Sequence, residues 1–300
     1  MTVELLRGVV ADLAASASAL AVLGAELDSR ISGKPIHPDL RPHVDEILDQ
    51  LGARDALEGV SPQELEPVLT EIRHFSLLDG ELLANPEREP GWTYYDREVL
   101  ETGGRLTEGF GEVLPRIAPE LADLAARLVG PDGRFLDVGT GVGRLSIAIA
   151  RRWPALRVVG IDRWAPSLER ARANVAAAGL EGRIELREQS GEDIPDEESF
   201  DLAWLPAPFM PPDVLWRTVQ RVHRALRPGG WLLFATAKPG TDLRAALLRF
   251  RVATWGGGPT PLDEVERQLA GAGFTELRVL PGPPRDFKMI VAARRAPSTT

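Results

Sequence analysis

The chain has no cysteine and only four histidines in 300 residues. The first absence excludes disulfides, thiol nucleophiles and thiolate metal sites, and it suits a reducing, cytoplasmic setting, which is the expected location. The histidines, at positions 37, 43, 74 and 223, never take the H-x-x-x-H spacing that puts two ring nitrogens on one helix face, so no metal centre is expected. Unbroken apolar runs of membrane-spanning length are missing too, because charges such as Asp12 interrupt the first apolar stretch. Neither a transmembrane helix nor a secretion signal is therefore expected, and no membrane partner. Basic charge is in deficit, with a formal net charge of −9. Duplex binding needs clustered cations at phosphates, so no nucleic-acid partner is expected. The 44% of hydrophobic residues suffices for a globular core, in one large domain or two modest ones.

Hydrophobic spacing divides the chain. Residues 1 to about 115 read as helical throughout. Leu6, Val9, Val10 and Leu13 fall on one face of a first helix, and residues 39–52 repeat the pattern after a loop at 33–38. A third helix has a defined start, with Ser61 as N-cap, Pro62 at the first helical position and Glu64 completing a capping box. Residues 95–129 carry more helix, expected to break at Gly103-Gly104 and around Pro115 and Pro119. From Phe135 onward strands and helices alternate, with strands near 134–138, 157–161, 183–187, 200–204, 230–236, 274–280 and 287–293. The helix at 165–178 presents Leu168, Ala171 and Val175 on one face and ends at Gly179. Such alternation predicts a parallel sheet with helices on both faces. The connection near Pro281–Pro284 is too short for a crossover helix, so the last two strands are expected to be antiparallel.

The most informative stretch is 134–144. An apolar run ends at Asp137, and glycines follow at 139, 141 and 143 before an apolar helical pattern from Leu145. Side chains at those glycines would hold the backbone away from a ligand, so the turn reads as a small-molecule cradle at the C-terminal end of a strand. The spacing is G-x-G-x-G, with Arg144 where a dinucleotide site has its third glycine, and the lysine of a phosphate P-loop is absent. A second apolar run, Val158–Ile161, ends at Asp162, where a carboxylate can accept hydrogen bonds from ribose hydroxyls or cap the helix that follows.

The run from Asp137 to Gly143 resembles the first motif of the class I S-adenosylmethionine-dependent methyltransferases. Asp162, the strand Phe200–Trp204 and the turn Leu226–Phe234 with its Pro-Gly-Gly resemble later motifs of that family in the same order. The resemblance implies an α/β fold: a Rossmann-like seven-stranded sheet, parallel with a C-terminal antiparallel hairpin, helices on both faces, and a helical N-terminal domain. It divides the chain into a helical domain at 1–115, which covers the substrate or pairs two copies into a homodimer, and a cofactor-binding domain at 116–300. It implies S-adenosyl-L-methionine as cofactor, with Gly139, Thr140, Gly141 and Gly143 along its methionine half, Asp137 at its amino end and Asp162 at the ribose. Arg163 and Trp164 would lie beside the adenine, although Trp164 serves equally as a packing residue. Ser190 stands where many relatives have an adenine-binding Asp, which shifts weight to Gly191 and Glu192; Leu205 follows the fourth strand.

Candidates on the acceptor side are Trp92, Tyr94, Tyr95, Phe209 and Met210. Pro206 replaces the polar residue with which amine-methylating relatives of DNA bases and glutamine hold their target, so that route is disfavoured. No catalytic base is assigned: His74 and His223 read as surface or structural residues, and Arg244, Arg249 and Arg251 as a solvated helix face. The function expected is methyl transfer to oxygen or nitrogen of a small molecule by in-line displacement. Two alternatives stay open, a non-catalytic cofactor-binding scaffold or regulator and a NAD(P)-dependent oxidoreductase. The glycine spacing, and the lack of a Tyr-x-x-x-Lys pair, oppose the latter.

Overall fold

The computed structural model describes residues 2–281 and 288–297. It separates into two compact units, 1–86 and 87–300. The first holds α1 (Val3–Ser32), α2 (Arg41–Gln50), α3 (Ala53–Ala56) and α4 (Pro62–Ala84). Its core is Leu27, Val44, Leu48, Leu57, Leu65 and Leu69. Ser61 and Glu64 close the capping box reciprocally at the start of α4, as the sequence predicts. Burial in α1 is confined to Gly24, Glu26 and Leu27. The expected apolar face at Leu6, Val9, Val10 and Leu13 is instead 48–61% exposed. The helix is also long and apolar enough to cross a membrane by length and composition. This corrects the expectation of no such segment: Asp12 alone does not offset the Ala- and Leu-rich run around it. His74, expected at the surface, is buried in α4.

The second unit opens with α5 (Arg97–Glu108), α6 (Phe110–Ile117) and α7 (Leu124–Val129). The boundary between units thus precedes the expected one near 115, because α5 and α6 pack on α8 (Arg144–Arg152) of the sheet layer. Gly103-Gly104 does not break α5. A Cβ on Gly104 would lie 2.3 Å from a methyl of Val142, so the glycine serves close approach rather than helix termination. Gly111 does the same for α6 against Ala148, and Pro115 sits inside α6 without ending it.

Seven strands follow: β1 (Arg134–Val138), β2 (Arg157–Asp162), β3 (Ile184–Glu188), β4 (Phe200–Pro206), β5 (Leu226–Ala237), β6 (Phe274–Leu280) and β7 (Lys288–Arg295). Between them lie α9 (Ala165–Ala177), α10 (Pro212–Ala225), α11 (Leu243–Thr254) and α12 (Leu262–Gly271). The order is β3-β2-β1-β4-β5-β7-β6, with β7 antiparallel to both neighbours. The connection expected to be too short for a crossover lies largely outside the described residues, but the pairing it implies is present. Adjacent residues along the strands alternate between two cores, as a sheet buried on both faces requires. Phe135, Leu202 and Leu233 join one, and Leu136, Ala203 and Leu232 the other. The strand order reverses between β1 and β4, which opens a crevice at their C-terminal ends.

Candidate functional site

A cavity occupies that crevice. Its floor is the turn after β1. Gly139, Gly141 and Gly143 all have positive φ, at 70°, 57° and 77°, so the chain doubles back in a conformation side chains disfavour. A Cβ added to Gly141 would meet nothing within 4 Å, and Gly141 lines the cavity. Asp162, at the end of β2, fixes this turn. One carboxylate oxygen accepts the Gly141 amide at 2.9 Å and the other accepts the Trp164 amide at 2.8 Å. Asp162 therefore ties two loops together rather than capping α9, whose N-cap is Trp164. Burial pushes its carboxyl above the usual range, against those two amide hydrogen bonds.

Asp137 is fully withdrawn from water, and burial pushes its carboxyl up to about 6 despite hydrogen bonds from Ser146 and Thr140; the Asp162 charge adds to the rise. The two hydroxyls donate to the same carboxylate oxygen at 2.6 and 2.8 Å. Because the folded-state value lies above the unfolded one, the folded protein binds the extra proton between about pH 4 and 6. Stability is then highest below that window and falls as pH rises through it, by about 3 kcal/mol at most for this group. Asp137→Asn is expected to flatten the pH dependence of stability between pH 4 and 6, checked by urea denaturation across that range.

Gln189, Ser190 and Gly191, in the loop after β3, form a second wall, and α5 contributes Leu100, Gly103, Gly104 and Thr107. The helix is held there by Glu101, which is buried and accepts from Arg144 at 2.8 Å and Arg170 at 2.9 Å. Burial raises the Glu101 carboxyl, but the two guanidinium hydrogen bonds prevail and hold it below the usual range. The far wall is apolar: Trp92, Trp204, Pro206, Phe209, Met210, Pro211, Val214 and Trp255. Phe209 stacks on Trp255 with ring centroids 4.9 Å apart, and Trp92 meets both edge-on at 5.1 and 6.1 Å.

Nine of the residues expected at a cofactor line this cavity: Asp137, Gly139, Thr140, Gly141, Asp162, Arg163, Trp164, Ser190 and Gly191. Three do not. Gly143 faces Ala171 and caps α8. Glu192 pairs with Arg217 on α10. Leu205 is fully buried among apolar residues. On the acceptor side Trp92, Phe209 and Met210 line the cavity, but Tyr94 and Tyr95 do not. Tyr94 is buried under the Arg88 guanidinium, 3.9 Å from its ring, and its carbonyl accepts the Trp164 indole N–H at 2.9 Å. Tyr95 is exposed, with its ring edge-on to Trp164. His223 is half-buried in α10 against Phe274, and His74 belongs to the other unit. The α5 residues, Gln189 and Trp255 escaped the sequence reading. One signal for the last was visible, the run Gly256-Gly257-Gly258 that follows it.

Residues 135–230 match a family model described as a methyltransferase domain. Over 150 residues the chain is 36% identical to the ubiquinone/menaquinone biosynthesis C-methyltransferase UbiE of Geotalea daltonii, which covers 44% of this chain and 63% of that protein. The chain thus spans less than two thirds of that curated relative's length. Among solved structures, the apo form of the S-adenosylmethionine-dependent methyltransferase SibL superposes with a TM-score of 0.61 at 20% identity, covering 96% of this chain and 99% of that one. An O-methyltransferase family protein from Burkholderia thailandensis gives a TM-score of 0.60 at 17% identity over 100% of both chains.

The lining suits a cofactor of the kind those proteins use. The open side of Gly141 leaves bare backbone toward the cavity. The Ser167 hydroxyl, on the first turn of α9, lines the cavity and is buried without a hydrogen-bond partner among the described residues. A polar ligand beside Asp162 and Trp164 would satisfy that hydroxyl.

Proposed function

We propose that this chain, which belongs to the class I S-adenosylmethionine-dependent methyltransferases, transfers a methyl group to an oxygen or nitrogen of a small-molecule acceptor. The observation that carries the reading is one cavity with two unlike walls. A bare glycine turn clamped by Asp162 forms one side, and a sheath of Trp92, Trp204, Phe209, Met210 and Trp255 forms the other. When bound, the cofactor supplies an electrophilic methyl group on a sulfonium.

The residues then have distinct tasks. The glycine turn receives the methionine half on its backbone. Asp137 faces its ammonium, whose charge favours the ionised carboxylate. Asp162 keeps a lone pair on each oxygen for the ribose hydroxyls after accepting two amides. Gln189, Ser190 and Gly191 flank the adenine. The aromatic wall excludes water and sets the acceptor in line with the methyl group.

The only titratable side chains among the described lining residues are Asp137, Asp162 and Arg163, all on the cofactor side. Positioning is therefore the chief catalytic device, and the acceptor must bring its own nucleophilicity. That same observation favours the second reading, a protein that binds the cofactor and transfers nothing. Release of S-adenosylhomocysteine with a panel of phenols, amines and carboxylates separates the two: methyl transfer predicts turnover with at least one acceptor class, and a scaffold predicts none. Thermal shift by S-adenosylmethionine but not by NAD or NADP is expected alongside, because only a ligand that binds the folded state raises its melting temperature.

A further inference from the structure

Trp255 has an unanswered hydrogen bond. It lines the cavity, is only 6% exposed, and its indole N–H is buried without an acceptor among the described residues. Other indoles here are satisfied: Trp164 donates to the Tyr94 carbonyl at 2.9 Å and Trp231 to the Ala122 carbonyl at 3.0 Å. Burying a donor without a partner costs stability, so such a group in a native cavity calls for an explanation.

The ring is also held rigidly. Trp255 closes α11, and Gly256 turns the chain at φ 87°. The Gly91 amide donates to the Thr254 carbonyl at 2.9 Å. A Cβ at Gly256 would lie 3.2 Å from the Gly91 Cα, and one at Gly257 would lie 2.2 Å from the Pro208 carbonyl oxygen. The segment after Trp255 is thus wedged between the two stretches that carry Trp92 and Phe209, and the indole is locked against both. A rigid, desolvated donor loses little entropy when it meets its acceptor.

We propose that the Trp255 indole N–H holds an oxygen of the methyl acceptor, and that this acceptor is a flat conjugated phenol or enol acidic enough to arrive ionised at neutral pH. The inference rests on the methyltransferase reading above. Flatness follows from the aromatic wall of Trp92, Phe209 and Trp255. Acidity follows from the lack of a base on that wall. Oxygen is preferred to nitrogen because a neutral amine has one lone pair, which an indole donor would occupy and the reaction needs. An oxyanion has lone pairs for both. In the transfer, the acceptor oxygen forms a bond to the methyl carbon as the carbon–sulfur bond breaks. The electron pair leaves with sulfur to give the neutral thioether, the product is a neutral methyl ether, and no proton moves.

The probe is 2-hydroxy-1,4-naphthoquinone, with 1-naphthylamine as the nitrogen control, titrated into the full chain saturated with S-adenosylhomocysteine. Calorimetry gives affinities and the indole ¹⁵N–¹H spectrum of its seven tryptophans reports the contact. The expected result is downfield movement of one indole proton with the hydroxyquinone, larger than any movement with the amine. In Trp255→Phe that resonance is missing, affinity for the hydroxyquinone falls 10- to 100-fold, and affinity for S-adenosylhomocysteine stays within about twofold. Should the variant not fold, the spectrum of the unaltered protein carries the same test. If S-adenosylhomocysteine binds but the hydroxyquinone does not, or binds without moving an indole proton, or binds Trp255→Phe equally well, the inference is overturned and the methyltransferase reading stands. If S-adenosylhomocysteine itself does not bind, both fall.

Discussion

Gly141→Val is expected to weaken cofactor binding severely in a protein that still folds. Two separate costs act at this position. The backbone has φ 57°, where a β-branched side chain is strained by about 1–2 kcal/mol or more. That strain lowers stability but needs no rearrangement, because a Cβ there meets nothing within 4 Å. The second cost arises only with ligand, since the side chain would fill cavity space onto which bare backbone opens. Gly179→Val isolates the first cost. Gly179 has φ 66° and equally open surroundings, but it follows α9 and does not line the cavity. Both variants should lose similar stability in urea denaturation. Only Gly141→Val should weaken S-adenosylhomocysteine binding, by a factor of about 100 or more, equivalent to roughly 2.7 kcal/mol. Equal binding by the two variants would remove the glycine turn from the site.

Asp162→Ala is expected to damage fold and site together. The carboxylate accepts one amide from each of two loops, at Gly141 and Trp164, where all three residues are half-buried beside the cavity. Its removal leaves two half-buried N–H donors without their acceptor, at about 1–3 kcal/mol each. The turn then loses the tether that shapes it. Stability should fall by about 2–5 kcal/mol and cofactor affinity by a factor of about 100 or more, read by denaturation and calorimetry. Asp162→Asn separates the roles. An amide side chain can accept from one of the two loops, but its NH2 opposes the other donor. It should lie between wild type and Asp162→Ala in both measurements. An Asp162→Asn variant as damaged as Asp162→Ala would show that the charge, rather than the paired acceptance, is what the site uses.

The glycine-turn half of the cavity was legible because its determinants are local. A strand, a glycine turn and a helix start are written in eleven consecutive residues, and Asp162 follows at the end of the next apolar run. The antiparallel pairing of β6 with β7 was readable for a related reason, since a connection too short for a crossover restricts how two strands can pair. The aromatic half was legible only in part, at Trp92, Phe209 and Met210. Leu100, Gly104, Trp255 and Gly256 reach the cavity by packing of segments distant in sequence, and no periodicity marks them. Tyr94 and Tyr95 were expected on the acceptor side because the family resemblance folds their segment over the cofactor, yet one turns under Arg88 and the other outward to Trp164. Gly103-Gly104 looked like a helix break, because a close helix contact and a chain reversal use the same residue. In α1 the apolar spacing was real, but within its unit Leu6, Val9, Val10 and Leu13 pack against nothing that buries them.

Each of these predictions depends on a single act of recognition, made by the glycine turn and Asp162 together. Titration calorimetry of the unaltered protein with S-adenosylhomocysteine at pH 7.5 measures it without needing an acceptor. One saturable site per chain is expected, with affinity weakening below about pH 6 as Asp137 takes up its proton. No heat of binding up to millimolar ligand, from protein shown to be folded, would contradict the account.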